Sequence, residues 1–290
     1  MARELNIACV QFTAVDGEKE ATVAKALDLI ERAAKQGAKL IVLPEVWTGL
    51  GYSTPTAYKE IAEPIPGPTS DRLGALAKRY GCHIVGSTYE AAPGGVLYNT
   101  AALIGPDGKV AGLYRKTHLF DAPRRKDIKP GMQESEKVKA GDTLPVFETA
   151  IGRIGVSVCS DLRFPEIYRV LALKGADIIV CASAFLSPRF DHWEFFLRAR
   201  ACENQVFVAA SGQVGIEPKS GIGFVGRSMI VDPWGTIVAT ASDAECYVAA
   251  TVDLDFAEKV KTWYPLMDQR RPSMYGEIVA ARPATRAAAE

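Results

Sequence analysis

Three side chains in this sequence stand where strand-like runs end, and together they could do acyl-transfer chemistry. Cys159 follows the apolar run Ile154-Gly155-Val156-Ser157-Val158 and precedes the polar, helix-starting run Ser160-Asp161-Leu162-Arg163-Phe164-Pro165-Glu166. A thiol at a strand-to-helix turn meets free backbone N–H groups and the positive end of a helix, which favour a thiolate. The same donors suit the oxyanion that forms when sulfur attacks a carbonyl. Glu45, in Leu43-Pro44-Glu45, closes a buried-looking strand over 39–43, and Lys116 closes a strand that begins near Lys109. Taken singly, Glu45 reads as a salt-bridged strand-end carboxylate and Lys116 as a solvated lysine.

The elements that must position these residues alternate between two periods. Residues 5–12 read as a buried strand. Residues 18–36 place Val23, Ala26, Leu27, Ile30, Ala33 and Ala34 at spacings of three and four, the pattern of an amphipathic helix. Gly37 stops that helix, and the next strand follows at once. A second helix is expected over 70–80, then strands over 83–89, 98–104 and 109–114. Pro106-Asp107-Gly108 joins the last two as a hairpin. A later helix over 192–204 carries Trp193, Phe196, Leu197 and Ala201 on its buried side, with Arg198, Arg200 and Glu203 in an ion network or a subunit contact.

The second half repeats this grammar. Gly37-Ala38-Lys39-Leu40-Ile41-Val42 recurs as Gly175-Ala176-Asp177-Ile178-Ile179-Val180, and the hairpin recurs at Pro233-Trp234-Gly235. The spacing is unequal, so this is pseudo-symmetry rather than a tandem repeat. It predicts an α/β fold of two similar layers closed around one core, over residues 1–275, with a C-terminal tail at 276–290. The stretch 121–143 is rich in charge, Gly and Pro and has no periodicity, so it reads as a functional loop.

The four motifs Leu43-Pro44-Glu45, Tyr114-Arg115-Lys116-Thr117-His118-Leu119-Phe120, Cys159-Ser160-Asp161-Leu162-Arg163-Phe164-Pro165-Glu166, and His192-Trp193-Glu194 running into Arg198 to Gln205 occur in that order. In this, most of the chain resembles the carbon–nitrogen hydrolases of the nitrilase superfamily. The resemblance implies a four-layer α-β-β-α sandwich with the site at the strand ends. It implies Cys159 as nucleophile, Glu45 as general base, and Lys116 with the Ser160 N–H as oxyanion stabiliser, with no metal or cofactor. It also implies a second glutamate in the long loop that orients the lysine. Glu134 fits the Gln-Glu-Ser pattern, and Glu136 is its rival. His118 falls on a family site position, which is either a substrate contact or a structural imidazole. Arg163 falls where related carbamoyl amidases hold a substrate carboxylate; alternatively Asp161, Arg163 and Glu166 tie the turn to its neighbours. Tyr52 and Phe185 are candidate pocket walls.

Nitrilases proper resemble Cys-Trp-Glu at the nucleophile, unlike Cys159-Ser160-Asp161. The Asp-Leu-Arg-Phe-Pro-Glu and His-Trp-Glu patterns are more similar to amidases of ω-amido acids and deaminated glutathione, although those carry Tyr where this chain has Ser160. The implied activity is hydrolysis of a small carboxamide through a cysteine thioester. An N-carbamoyl amide hydrolase is the alternative within the family, and a catalytically silent binding subunit the alternative outside it. Family members associate through helices near the cysteine, so a homodimer or higher homo-oligomer is expected.

Composition limits the other classes. The chain has 290 residues, 48% hydrophobic and 23% charged, with zero formal net charge, which suits a globule with a sizeable core. No basic stripe suggests nucleic acid, and no apolar run is long enough for a membrane span. The N-terminus leads straight into a strand without a signal-peptide pattern. The six cysteines lack Cys-x-x-Cys spacing, and five of them read as small core residues, as expected of a reduced, cytoplasmic protein. The three histidines lie in three separate segments and make no short-spaced metal motif.

Overall fold

The computed structural model describes residues 3–122 and 133–280. The first half contains β1 (Glu4–Gln11), α1 (Lys19–Lys35), β2 (Leu40–Val42), α2 (Ala57–Ile61), α3 (Pro68–Tyr80), β3 (His83–Ala91), β4 (Leu97–Ile104) and β5 (Val110–Arg115). The second half contains β6 (Val146–Thr149), β7 (Gly152–Val158), α4 (Pro165–Leu173), β8 (Ile178–Ser183), α5 (Phe190–Asn204) and β9 (Phe207–Gly212). It ends with β10 (Val214–Ile216), β11 (Gly223–Val225), β12 (Met229–Val231), β13 (Ile237–Thr240), β14 (Cys246–Asp253) and α6 (Asp255–Trp263).

Alternation along the strands sets the layers. Ile7 and Cys9 of β1, Leu40 and Val42 of β2 and Val85 of β3 face a core shared with β7, β8 and β9. Their neighbours Ala8, Val10, Ile41, Leu43 and Ile84 face α1 and α3 instead, packing on Val23, Ile30, Leu73 and Ala77. This period of two gives each sheet an inner and an outer face. On the far side, Ile167, Tyr168 and Leu171 of α4 and Trp193, Leu197 and Ala201 of α5 complete the shared core. The result is the expected α-β-β-α sandwich.

The two sheets have the same plan. One runs β14-β1-β2-β3-β4-β5 and the other β6-β7-β8-β9-β12-β13. In each, three parallel strands stand in the middle, one antiparallel strand closes one side, and an antiparallel pair closes the other. The repeated glycines behave identically. Gly37 has φ +89° and donates its N–H to Ala34 O at 2.9 Å; Gly175 has φ +88° and donates to Ala172 O at 2.9 Å. Both stop a helix in a conformation that a Cβ would penalise.

Element ends moved slightly from the sequence reading. β2 is shorter than 39–43, and α3 begins at Pro68 rather than Ser70 because a proline suits the first helical turn. Inside the loop expected over 121–143, Glu134–Glu136 form a single 3₁₀ turn; residues 123–132 and the tail from 281 lie outside the described residues. Among the described residues, no helix is long and apolar enough to cross a membrane.

Candidate active site

The carboxyl ends of β2, β5, β7 and β8 converge on one cavity, as open α/β sheets place their sites. Glu45 leaves the end of β2 on a turn pinned to β3. Leu43 N donates to Val85 O at 2.7 Å, and Val46 N donates to Ser87 Oγ at 3.0 Å. Cys159 leaves the end of β7. The two turns share an uncommon feature: Val46 has φ +39° and Cys159 has φ +44°. Left-handed backbone at a non-glycine residue costs on the order of 1–3 kcal/mol and persists only where its surroundings enforce it.

Asp161 enforces the cysteine turn. Its fully buried carboxylate accepts from Val158 N at 2.9 Å and from Tyr114 Oη at 2.7 Å through one oxygen. The other oxygen accepts from His118 N at 3.0 Å and Thr117 Oγ1 at 3.3 Å. One side chain thereby ties the cysteine turn to the lysine segment, which is the tying role that the sequence left open for it.

The helix expected at the cysteine is a 3₁₀ turn, Cys159–Arg163, and α4 starts only at Pro165. The thiolate reading changes accordingly. Burial first, and then the Glu45 carboxylate, push the Cys159 thiol well up from its ordinary range, against the pull of Lys116. The Cys159 thiol is therefore held toward its protonated form.

Lys116 is 1% exposed and follows β5 directly. Its Nζ donates to Glu45 Oε1 at 2.8 Å and to Glu134 Oε2 at 2.6 Å. Burial would lower its pKa, but Glu134 and then Glu45 outweigh burial and hold it well above the ordinary lysine range. Lys116 is thus a fixed cation rather than a solvated one. Glu134 also accepts from Phe120 N at 2.7 Å. Its rival Glu136 is exposed on the same turn.

Sequence reasoning missed Asn99. Its Nδ2 donates to Glu45 Oε1 and to Glu134 Oε1, both at 2.8 Å. Two acceptor-only carboxylates fix the orientation of this amide. Glu45 Oε2 accepts from Ala184 N at 2.9 Å, so all four carboxylate oxygens are engaged. An asparagine within a strand carries no sequence signal of this role.

The cavity measures about 70 Å³. A site for one water needs about 10–15 Å³ on this scale, so it admits a small group. Glu45, Lys116, Glu134, Cys159 and Ser160 line its floor with Tyr52, Arg163 and Phe185 around them. Burial, then Glu45 and Glu134, raise the Tyr52 phenol, which stays neutral. The Arg163 guanidinium lies over the Phe185 ring at 4.8 Å and the Phe196 ring at 5.7 Å, with His192 Nδ1 at 3.4 Å from Nη1. His118 is not among the lining residues. Its ring stacks on Phe164 at 3.7 Å and its Nδ1 meets Asp161 Oδ1 at 3.1 Å, a structural arrangement.

On α5, Arg200 pairs with Glu203 at 2.9 Å and donates to Leu162 O at 3.1 Å, bracing the cysteine turn from behind. All six cysteines are free, and Cys9, Cys82, Cys159 and Cys181 are buried. Cys202 and Cys246 are only partly buried, unlike the core positions expected of them, because one ends a surface helix and the other begins an edge strand.

Comparison with known proteins agrees with this geometry. The carbon-nitrogen hydrolase family model matches residues 6–262. Omega-amidase NIT2 of Xenopus tropicalis is 37% identical over 273 residues, covering 94% of this chain and 97% of the relative. The Homo sapiens omega-amidase NIT2 is 35% identical over 264 residues, covering 89% and 92%. Among solved structures, Nit3 of Saccharomyces cerevisiae, a nitrilase-superfamily member, superposes with a TM-score of 0.82 at 32% identity, covering 92% of this chain and 97% of that one. A carbon-nitrogen hydrolase from Helicobacter pylori superposes with a TM-score of 0.83 at 28% identity, covering 96% and 99%.

Proposed function

Because this chain belongs to the carbon–nitrogen hydrolase family and is an enzyme acting on amides, we propose that it hydrolyses a small carboxamide through a thioester on Cys159. Glu45 takes the thiol proton as Sγ attacks the amide carbon. The carbonyl π pair moves to oxygen, and the oxyanion sits against the Lys116 ammonium and the Ser160 N–H. The oxyanion collapses, the C–N bond breaks, and Glu45 returns the proton to nitrogen so that ammonia leaves. Glu45 then takes a proton from water, which attacks the thioester carbon. The second oxyanion collapses, the C–S bond breaks, and the departing sulfur recovers its proton from Glu45.

The observation that carries this reading is the meeting of one neutral thiol, one fixed ammonium and one carboxylate on the same 70 Å³ cavity. A thiol held protonated by burial has use for an adjacent base. Glu134 and Asn99 keep the lysine and the base in register without taking part in proton transfer. The intact set speaks against a catalytically silent binding subunit.

The test is product analysis. Ammonia and a free carboxylic acid should appear in equal amounts from ω-amido acids or simple amides. Carbon dioxide released with ammonia from N-carbamoyl compounds, without amide turnover, would favour the carbamoyl alternative. The same reading includes self-association: Phe164, Leu173, Phe190 and Phe195, on and beside α4 and α5, expose apolar surface suited to an interface core.

A further inference from the structure

One buried hydroxyl beside the proposed nucleophile has no use in the scheme above. Ser183 ends β8 and is fully buried. Among the described residues, its Oγ makes no hydrogen bond of ordinary geometry. Buried polar groups are almost always paired, so an orphan of this kind needs a physical account. Its place is fixed. β7 and β8 run parallel with Val158 opposite Ala182, so the next residues along, Cys159 and Ser183, leave the sheet side by side. Ser183 O accepts from Gln213 N at 3.0 Å, and the following residue, Ala184, donates its N–H to Glu45 Oε2 at 2.9 Å.

Glu45, Lys116 and Ser183 stand around the Cys159 thiol. Glu45, as a carboxylate, can only accept the S–H proton. Lys116 already gives two of its three N–H donors to Glu45 and Glu134, and the oxyanion takes the third in the proposed scheme. The Ser183 hydroxyl is a neutral donor beside the sulfur, and it pulls the thiol pKa down against burial and Glu45.

We infer that Ser183 is a positioning residue for the nucleophile. Its O–H donates to Cys159 Sγ, turns the S–H toward Glu45, and steadies negative charge on sulfur when the C–S bond breaks. The contact is loose on the neutral thiol and tightens on the thiolate, because a donor binds an anion more strongly than a neutral atom. The inference rests on Cys159 as the nucleophile of the amidase reading and adds a group to it.

The test is alkylation of Cys159 by iodoacetamide at one mildly alkaline pH, read by peptide mapping, on the wild type, Ser183→Ala, Ser183→Gly and Ser183→Thr. The charged groups on the cavity, Glu45, Lys116, Glu134, Lys137, Arg163 and Arg189, are the same in all four. The partly buried Cys246 in the same digest is the internal reference. A hydrogen bond to a charged group shifts an equilibrium roughly ten- to a hundredfold. The less stabilised thiolate is also the stronger nucleophile, which offsets about half of that on a logarithmic scale. Ser183→Ala should therefore alkylate at Cys159 about four- to tenfold more slowly, with Cys246 unchanged. Its kcat for ammonia release should fall by about tenfold or more, with KM changed only a few-fold. Ser183→Thr keeps the hydroxyl and should keep most of both rates. Ser183→Gly lacks it and replaces Ser183→Ala if that variant fails to fold. The inference is overturned if Cys159 in Ser183→Ala alkylates at the wild-type rate, if Ser183→Thr is as slow as Ser183→Ala, or if Cys246 slows in parallel. Alkylation needs no turnover, so a wild-type rate in Ser183→Ala sinks this inference alone, whereas ammonia release by Cys159→Ala sinks the thioester reading beneath it.

Discussion

Glu134→Gln tests the hydrogen-bonded frame around Lys116 and the proposed nucleophile. In the wild type, Glu134 accepts from Lys116 at 2.6 Å, from Phe120 N at 2.7 Å and from Asn99 at 2.8 Å. Glutamine has the same shape but presents one acceptor and one donor. If its oxygen keeps Lys116 and Phe120, its amide nitrogen faces the Asn99 amide, donor against donor. A hydrogen bond to a charged group contributes about 1.5–3 kcal/mol, and leaving a buried group unpaired costs about as much again. Lys116 keeps Glu45, so the protein should fold with a lowered melting temperature. The catalytic effect should be larger. Loss of a well-aimed oxyanion donor typically costs about a hundred- to a thousandfold in kcat, and kcat should fall toward that range with KM changed only a few-fold.

The pH profile carries the sign. Glu134 is the foremost influence holding the Lys116 pKa up against burial. Removing that charge lowers the pKa, so the ammonium is lost at lower pH. The alkaline limb of kcat should therefore move toward neutrality. Ammonia release measured across pH, with circular dichroism on the same preparation, checks both parts. Glu136→Gln is the control and should leave both unchanged, since its side chain is exposed. A Glu134→Gln enzyme with more than about a tenth of wild-type kcat, against the expected loss, and an unmoved alkaline limb would refute the reasoning.

Three further outcomes follow from the same contacts. Lys116→Arg should cut ammonia release by about a hundredfold or more, because a guanidinium is too bulky for a site 1% exposed and aims its donors elsewhere; near-normal turnover would place the oxyanion against another group. Asp161→Asn should lower the melting temperature by several degrees, since an amide N–H₂ would then face the donors of either Val158 and Tyr114 or Thr117 and His118; an unchanged melting curve would mean the turn is held by other contacts. Sedimentation at micromolar concentration should give at least a dimer, and Phe195→Glu should shift it toward monomer; a wild-type monomer would contradict the interface.

The sequence made the layers legible because alternation and helical spacing are local signals. The paired glycines Gly37 and Gly175 exposed the pseudo-symmetry because each must take a backbone conformation that other residues avoid. The pairing of β1 with β14, from Leu5 against Val252 to Gln11 against Cys246, spans nearly the whole chain and leaves no local trace. In the site, Glu45, Lys116 and Cys159 could be read because each follows a strand. Asn99 could not, since its role depends on two carboxylates brought from distant segments. The expectation of a helix-stabilised thiolate failed because Pro165 delays α4 past the cysteine, and because burial favours the neutral thiol.

The central claim is a covalent acyl group on Cys159, and rapid-quench intact-mass analysis tests it most directly. Enzyme mixed with excess amide and quenched in acid within the first turnovers should carry one acyl group. Peptide mapping should place it on Cys159 and on none of the other five cysteines, and Cys159→Ala should carry none and release no ammonia. Sustained ammonia release by Cys159→Ala, or an acyl group mapped to another residue, would contradict the account.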